Sequence, residues 1–446
     1  MSVRRYPFHP FLGIVLLLLG LESGIAWGNP AVRSLPNGLQ SFVLENPGTT
    51  SVAVDLWVRA GSRYETASRN GIAHFVEHLL FKGTARRSAQ DISREVAAVG
   101  GFMNAYTHWE YTQFHLALLP AHLDLALDIL ADIAQNSLMT DEMIDRERKV
   151  VLEEISLARI FPPSYVLNIV SRTLFPGSSL GMPISGAKNT VEALKRKDLQ
   201  EFYRRQYTPN QAFLTVVGNV NPQKAQEAVQ KYFFSWPAGH SSFPPAPPPP
   251  RQTQFQEVRE RKFLDQAIVV LALRVMGRQD VDRPAFEIIN AVLGSGGNSR
   301  LYQEIREKKG LSYLVGSLYH PLADTGLWAT YAGTNPGNIK SIQEIISQQI
   351  RRIQQELLSS KELADTKNYL RGHVLIRSEN NSHLADFIGT SFISGGSELP
   401  GDFLAKLEAV TPEDVRRAAQ TYLREDQWNL IILKPYPGLT LFRGLL

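Results

Sequence analysis

Apolar residues recur along this chain with two different periods, and the places where the period changes divide it into elements. Alternating runs at Gln40-Ser41-Phe42-Val43-Leu44-Glu45 and Ser51-Val52-Ala53-Val54-Asp55-Leu56-Trp57-Val58 predict strands. Leu35-Pro36-Asn37-Gly38 reads as a hairpin-like turn before them, and Gly61-Ser62-Arg63 ends the second. From Gly71 to Leu80 the period lengthens. Ile72, Phe75, Val76, Leu79 and Leu80 are apolar at positions that leave only a narrow polar face, which predicts a mostly buried helix. A second helix is expected around Asp91 to Val99, then two strands bracketing Thr107 to Trp109, the later one running Gln113 to Leu119, then helices to about Ala158. A helix around Val191 to Tyr203, a strand from Ala212 to Gly218 and a short helix after Asn221-Pro222 complete a first unit.

Periodicity stops between Ser235 and Arg251. Pro237, Pro244, Pro245 and Pro247 through Pro250 cannot enter a core element, so residues 237–254 read as a semi-rigid, exposed linker. Beyond it the pattern restarts. Ala267 to Arg274 echoes the strand at Val52 to Val58, and Ala285 to Leu293 echoes the helix at Gly71 to Leu80. The chain is therefore expected to be α+β, with two homologous domains, residues 29–236 and 255–446, each a mainly antiparallel sheet covered by helices.

Residues 1–28 have the outline of a secretory signal: Arg4 and Arg5, an apolar run from Phe11 to Leu21, and small residues around Ala26-Trp27-Gly28. An uncleaved membrane anchor shares that outline, although the run is short for a span. Either way the expectation is export, to the periplasm or beyond the cell. With 446 residues and 43% hydrophobic content there is material for two or three cores. A net charge of +4 without a Lys/Arg block gives no stripe for nucleic acid. The chain has no cysteine, which removes disulfides, thiolate metal sites and thiol nucleophiles, so a zinc site would need histidine and carboxylate ligands.

Such ligands stand on the helix at Gly71 to Leu80. His74 and His78 are four residues apart and share one face, and Glu77 lies three residues after His74, beside them. This H-x-x-E-H order reverses the commoner H-E-x-x-H of zinc proteases. Two histidines can offer nitrogens to one Zn2+ ion while Glu77 stands where a general base would work on water. Satisfied core histidines would fit the same pair, and a third ligand is needed to decide. In the run Asp141 to Ile155, Glu147 and Glu154 are two helical turns apart and project from one stripe, with Glu153 turned away. Taken alone, that stripe also reads as a solvated charged face.

Together these residues resemble the pitrilysin and insulinase zinc peptidases, most closely the branch that includes the mitochondrial processing peptidase and its bacterial relatives. The resemblance puts His74, His78 and Glu154 on the zinc ligands, Glu77 on the catalytic glutamate and Glu147 on a supporting acid. Gly100-Gly101-Phe102-Met103-Asn104-Ala105-Tyr106-Thr107 is similar to a family segment forming an edge strand beside the site, which implies substrate contacts at Asn104, Ala105 and Tyr106. It also implies that Arg306 and Tyr313, seven residues apart in the second half, reach toward the scissile carbonyl as a backbone anchor and an oxyanion donor. His108, His115, His320, His373 and His383 have no assigned partner. The expected function is an exported zinc endopeptidase cutting peptides or unfolded segments inside a closed chamber, with one zinc per chain, as a homodimer. A partner-dependent or inactive subunit of a heterodimer is the competing outcome, and an envelope scaffold that keeps zinc but tolerates loss of Glu77 is a third.

Overall fold

In the computed structural model, residues 30–239, 242–249, 252 and 254–436 are described, and the expected signal segment lies outside them. No helix among the described residues is long and apolar enough to cross a membrane. The alternating runs become strands β1 (Ala31–Ser34), β2 (Gln40–Glu45) and β3 (Val52–Val58). With β4 (Phe102–Thr107), β5 (Thr112–Leu118) and β6 (Ala212–Gly218) they form a six-stranded sheet in the order β1-β2-β6-β3-β5-β4. The β2–β6 pair is parallel and every other pair in it is antiparallel.

Central strand β3 is buried along its whole length, although alternation alone predicts one wet face. Val52, Val54, Leu56 and Val58 face the helices of their own half, whereas Ala53 and Trp57 face the other way. What covers that second face comes from the other half. In the helix Asn381–Ile393, Leu384, Ala385 and Ile388 pack on Phe42, Leu44, Ala53 and Val217. Gly389 lets this helix approach closely, since a Cβ there would stand 2.1 Å from the Trp57 ring.

The second half repeats the first. Strands β7 (Gln256–Lys262), β8 (Ala267–Val275), β9 (Val315–Pro321), β10 (Gly326–Thr334) and β11 (Asn429–Pro435) form a sheet in the order β7-β11-β8-β10-β9. Its β7–β11 pair is parallel and the others antiparallel, strand for strand as in β2-β6-β3-β5-β4. The helix Arg283–Gly294 occupies the place in sequence that the histidine helix has in the first half. The exchange of covering helices is mutual. Ile169, Val170 and Leu174 of the helix Pro162–Leu174, from the first half, are buried with Val270, Ala272, Leu327 and Ile431 of the second sheet.

One local expectation needs correction, and a second element is anchored in a way its sequence does not show. The helix expected around Val191 to Tyr203 is two helices, Lys188–Ala193 and Arg196–Gln206. Asp198 takes the Lys195 N–H at 3.0 Å and so caps a new start after Leu194. The proline-rich linker is also more tightly held than an exposed spacer. Phe243 stacks on Phe202 and lies under the Arg205 guanidinium, 3.7 Å from its ring centre, and its N–H donates to Gln206.

Arg63 ties the linker and both halves together. Its Nε donates to the Ala246 carbonyl at 2.8 Å, and its two terminal nitrogens reach Glu110 of the first half and Asp324 of the second, each at 2.6 Å. Glu110 in turn accepts the Ala323 N–H. Arg63 and Glu110 are both buried. The substitution Arg63→Met strands Glu110 without its cation and is expected to cost about 3–5 kcal/mol. Thermal or denaturant midpoints read the loss, and an unchanged midpoint would remove this node from the stability of the fold.

Candidate metal centre

The histidine helix spans Ile72–Leu80 and begins at Gly71, which has φ +95°. A side chain there would be strained by that backbone angle and would also meet the Gly186 Cα at 2.7 Å. The first N–H groups of the helix are held by Glu65. Its carboxylate accepts from the Gly71 and Ala73 N–H groups and from the Asn70 amide, each at 2.9 Å. Burial pushes the Glu65 carboxyl up to about 8, against the pull of these three donors. Glu65 was invisible as a site residue in the sequence, because nothing about its spacing marks it.

The second wall of the site is the helix Asp141–Ile160, started by Thr140, whose hydroxyl accepts the Met143 N–H. It packs beside the histidine helix and turns Glu147 and Glu154 toward it, while Glu153 is exposed. Glu154 Oε2 lies 3.5 Å from His74 Nε2 and 3.4 Å from His78 Nε2. One ligand atom from each of His74, His78 and Glu154 falls within 4.8 Å of the other two. A tetrahedral ion with bonds of about 2.0–2.2 Å separates its ligand atoms by roughly 3.3–3.6 Å, so this donor set fits zinc.

Electrostatics support the same reading. Burial, with His78 beside it, holds the His74 imidazole down at about 4, so that ring is neutral and ready to ligate. Burial alone would lower His78 too, but Glu154, Glu77 and Glu147 bring it above its ordinary value. Its partner His78 holds the Glu154 carboxyl below its usual range. Glu147 is buried, with Oε2 3.4 Å from His78 Nδ1 and 3.1 Å from Lys82 Nζ, where it can orient the ring whose Nε2 faces Glu154. Glu77 is outside the donor set. Its Oε2 accepts from the Thr107 hydroxyl at 2.8 Å, and burial raises its carboxyl above the ordinary value.

These residues open on a cleft of about 550 Å³. Asn104, Ala105 and Tyr106 line it from β4, the edge strand of the first sheet, so one side of that strand has no β-sheet partner. His108 and Trp109 continue the same wall, and Ser164, Asn168 and Ser171 face it from the helix Pro162–Leu174. None of these five residues was expected at the site. Only the serine and asparagine spacing at i, i+4 and i+7 carried a signal. Arg306 and Tyr313 meet each other, with the guanidinium carbon 4.1 Å from the ring centre and Nη1 donating to the Tyr313 carbonyl at 3.2 Å. They do not line this cleft, and Tyr313 is 79% exposed.

An H-x-x-E-H helix with a downstream glutamate, on a doubled sheet-and-helix scaffold, defines the class: proteins with a zinc-protease type of metal site. The chain belongs to the insulinase family, peptidase family M16. Residues 41–188 match the family model described as insulinase (peptidase family M16), and residues 193–370 match the one described as the peptidase M16 inactive domain. It is 36% identical over 410 residues to an uncharacterized zinc protease of Streptomyces coelicolor, covering 90% of this chain and 88% of that one. With the uncharacterized zinc protease YmxG of Bacillus subtilis it shares 30% over 402 residues, covering 90% and 97%. Among solved structures, a protease from Helicobacter pylori superposes with a TM-score of 0.88 at 25% identity, over 92% of this chain and all of that one. A peptidase M16 inactive domain structure from Pseudomonas fluorescens shares the fold with a TM-score of 0.83 at 20% identity, over 92% and 98%.

Replacing Glu147 by Gln should leave all three ligands in place and weaken zinc binding about 10–100-fold. Protons compete with zinc for His78, whose pKa lies above the ordinary value, so zinc affinity should fall as pH drops into and below the histidine range. Competition titration with a chromogenic chelator measures both effects. A pH-independent affinity would exclude the histidines as ligands.

Proposed function

We propose that this chain is a zinc-dependent endopeptidase acting on peptides or unfolded polypeptide segments. The observation that carries the proposal is the convergence of His74, His78 and Glu154 with Glu77 beside them but outside the ligand set. His74, His78 and Glu154 would hold a zinc ion, which when bound would supply Lewis acidity to the scissile carbonyl and to water near neutral pH. Glu77 takes a proton from the attacking water and returns it to the leaving amine nitrogen, so one carboxylate serves as base and then as acid. Its raised pKa suits both roles, and the Thr107 hydroxyl fixes the oxygen that it holds. Asn104, Ala105 and Tyr106 receive the substrate backbone as an added strand on the free edge of β4.

Arg306 and Tyr313 act on the cleft of a second copy, where the guanidinium anchors substrate carbonyls and the phenol donates to the developing oxyanion. The exposure of Tyr313 and the absence of both residues from the lining of their own cleft support that arrangement. The working form is then a homodimer enclosing substrate between two-domain chains, exported and acting in the periplasm or outside the cell. A second reading, dependence on a related inactive partner, has support in the match of residues 193–370 to a domain described as inactive. The intact ligand set and Glu77 weigh toward activity in this chain.

Zinc content and peptide hydrolysis should separate by residue. Glu77→Gln is expected to keep its zinc and lose turnover by orders of magnitude, whereas His78→Ala loses both. Tyr313→Phe keeps zinc and loses about 10²–10³ in rate. Mixing the Glu77→Gln and Tyr313→Phe chains should restore activity through dimers that carry one complete site. No recovery on mixing would refute the cross-chain assignment, and full activity of Glu77→Gln would refute the mechanism.

A further inference from the structure

The helix Pro162–Leu174 has its orientation fixed by its apolar face. Ile169, Val170 and Leu174 are buried against the second sheet, so the opposite stripe must face the metal cleft. Ser164, Asn168 and Ser171 stand on that stripe at i, i+4 and i+7 and line the cleft that also holds His74, His78 and Glu154. Ser171 is only 3% exposed, and its hydroxyl has no hydrogen-bond partner. A buried polar group left in that state costs about 1–3 kcal/mol. Ser164 and Asn168 are half-buried and open to the cleft.

Charge is absent from this wall. Apart from the metal ligands and Glu77, the cleft has no Asp, Glu, Lys or Arg in its lining. A charged substrate side chain placed here would shed its water and find no counter-ion that the reaction does not already use. A wholly apolar one would cover the Asn168 amide without satisfying it. A neutral polar side chain meets neither penalty, and an amide offers both a donor and an acceptor to the stripe.

We infer that Ser164, Asn168 and Ser171 form a subsite selecting an uncharged polar side chain, above all glutamine or asparagine, at one position flanking the scissile bond. This rests on the peptidase reading and adds the substrate class to it. Asn168 determines specificity by direct contact with the substrate side chain, Ser171 lies buried behind it, and Ser164 extends the same surface outward.

The test compares kcat/KM of the zinc-loaded full chain on a peptide set in which each residue flanking the cleaved bond is varied among Gln, Lys, Glu and Leu. At one position Gln should exceed Lys, Glu and Leu by about tenfold or more, the scale at which sites lose substrates that leave their polar groups unpaired. Asn168→Asp should move that preference toward Lys, and Asn168→Leu should move it toward Leu. Both changes should appear as altered ratios between peptides, which a loss of folding cannot produce. Equal cleavage of all four peptides by the parent, or unchanged ratios in both variants, would overturn the subsite while leaving the peptidase reading intact. Failure of the zinc-loaded parent to cleave any peptide would overturn both.

Discussion

Each sheet in this protein is closed on one face by a helix that belongs to the other half. The helix Asn381–Ile393 covers β3 and β6, and the helix Pro162–Leu174 covers β8 and β11. Neither half can bury its sheet alone, because β3 carries Ala53 and Trp57 on the borrowed face and the second sheet carries Val270 and Ala272. The Arg63 node fastens the same junction with charge-assisted bonds, and Gly389 allows the contact to close against Trp57. The exchange also shapes the site. The helix bound to the second sheet is the far wall of the metal cleft, so the position of that wall is set by the junction rather than by a mobile loop.

The candidate metal centre puts charges at depth that a cation would balance. His74 is kept neutral by burial, His78 is drawn toward its charged form by three carboxylates, and Glu77 is pushed toward protonation. A divalent ion among the donors would replace the proton that His78 otherwise holds and would lower the cost of two carboxylates beside one another. Lys82 lies on the same Glu147 oxygen that faces His78 Nδ1 and offsets part of the local negative charge there.

What was legible in the sequence follows from the range over which each feature acts. Helical periodicity is local, so His74 with His78, and Glu147 with Glu154 but not Glu153, could be placed on common faces from spacing alone. The internal duplication was faint as sequence but is complete as topology, because strand order and direction tolerate replacement of almost every residue that builds them. Glu65 had no pattern to reveal it, since its role depends on backbone groups six and eight residues away that become donors only once the helix starts at Gly71. The full burial of β3 and the anchoring of the linker were hidden for a related reason. Their partners, Leu384, Ile388 and Arg63, lie far away in the chain.

The central claim is that a cation held by His74, His78 and Glu154 would let Glu77 drive hydrolysis of a peptide bond. Incubating the purified chain with a mixed peptide library, before and after chelation and again after returning zinc, tests that claim most directly. The expected result is hydrolysis that stops on chelation and returns as zinc is restored to one ion per chain. Hydrolysis that persists in the chelated, metal-free chain would contradict it.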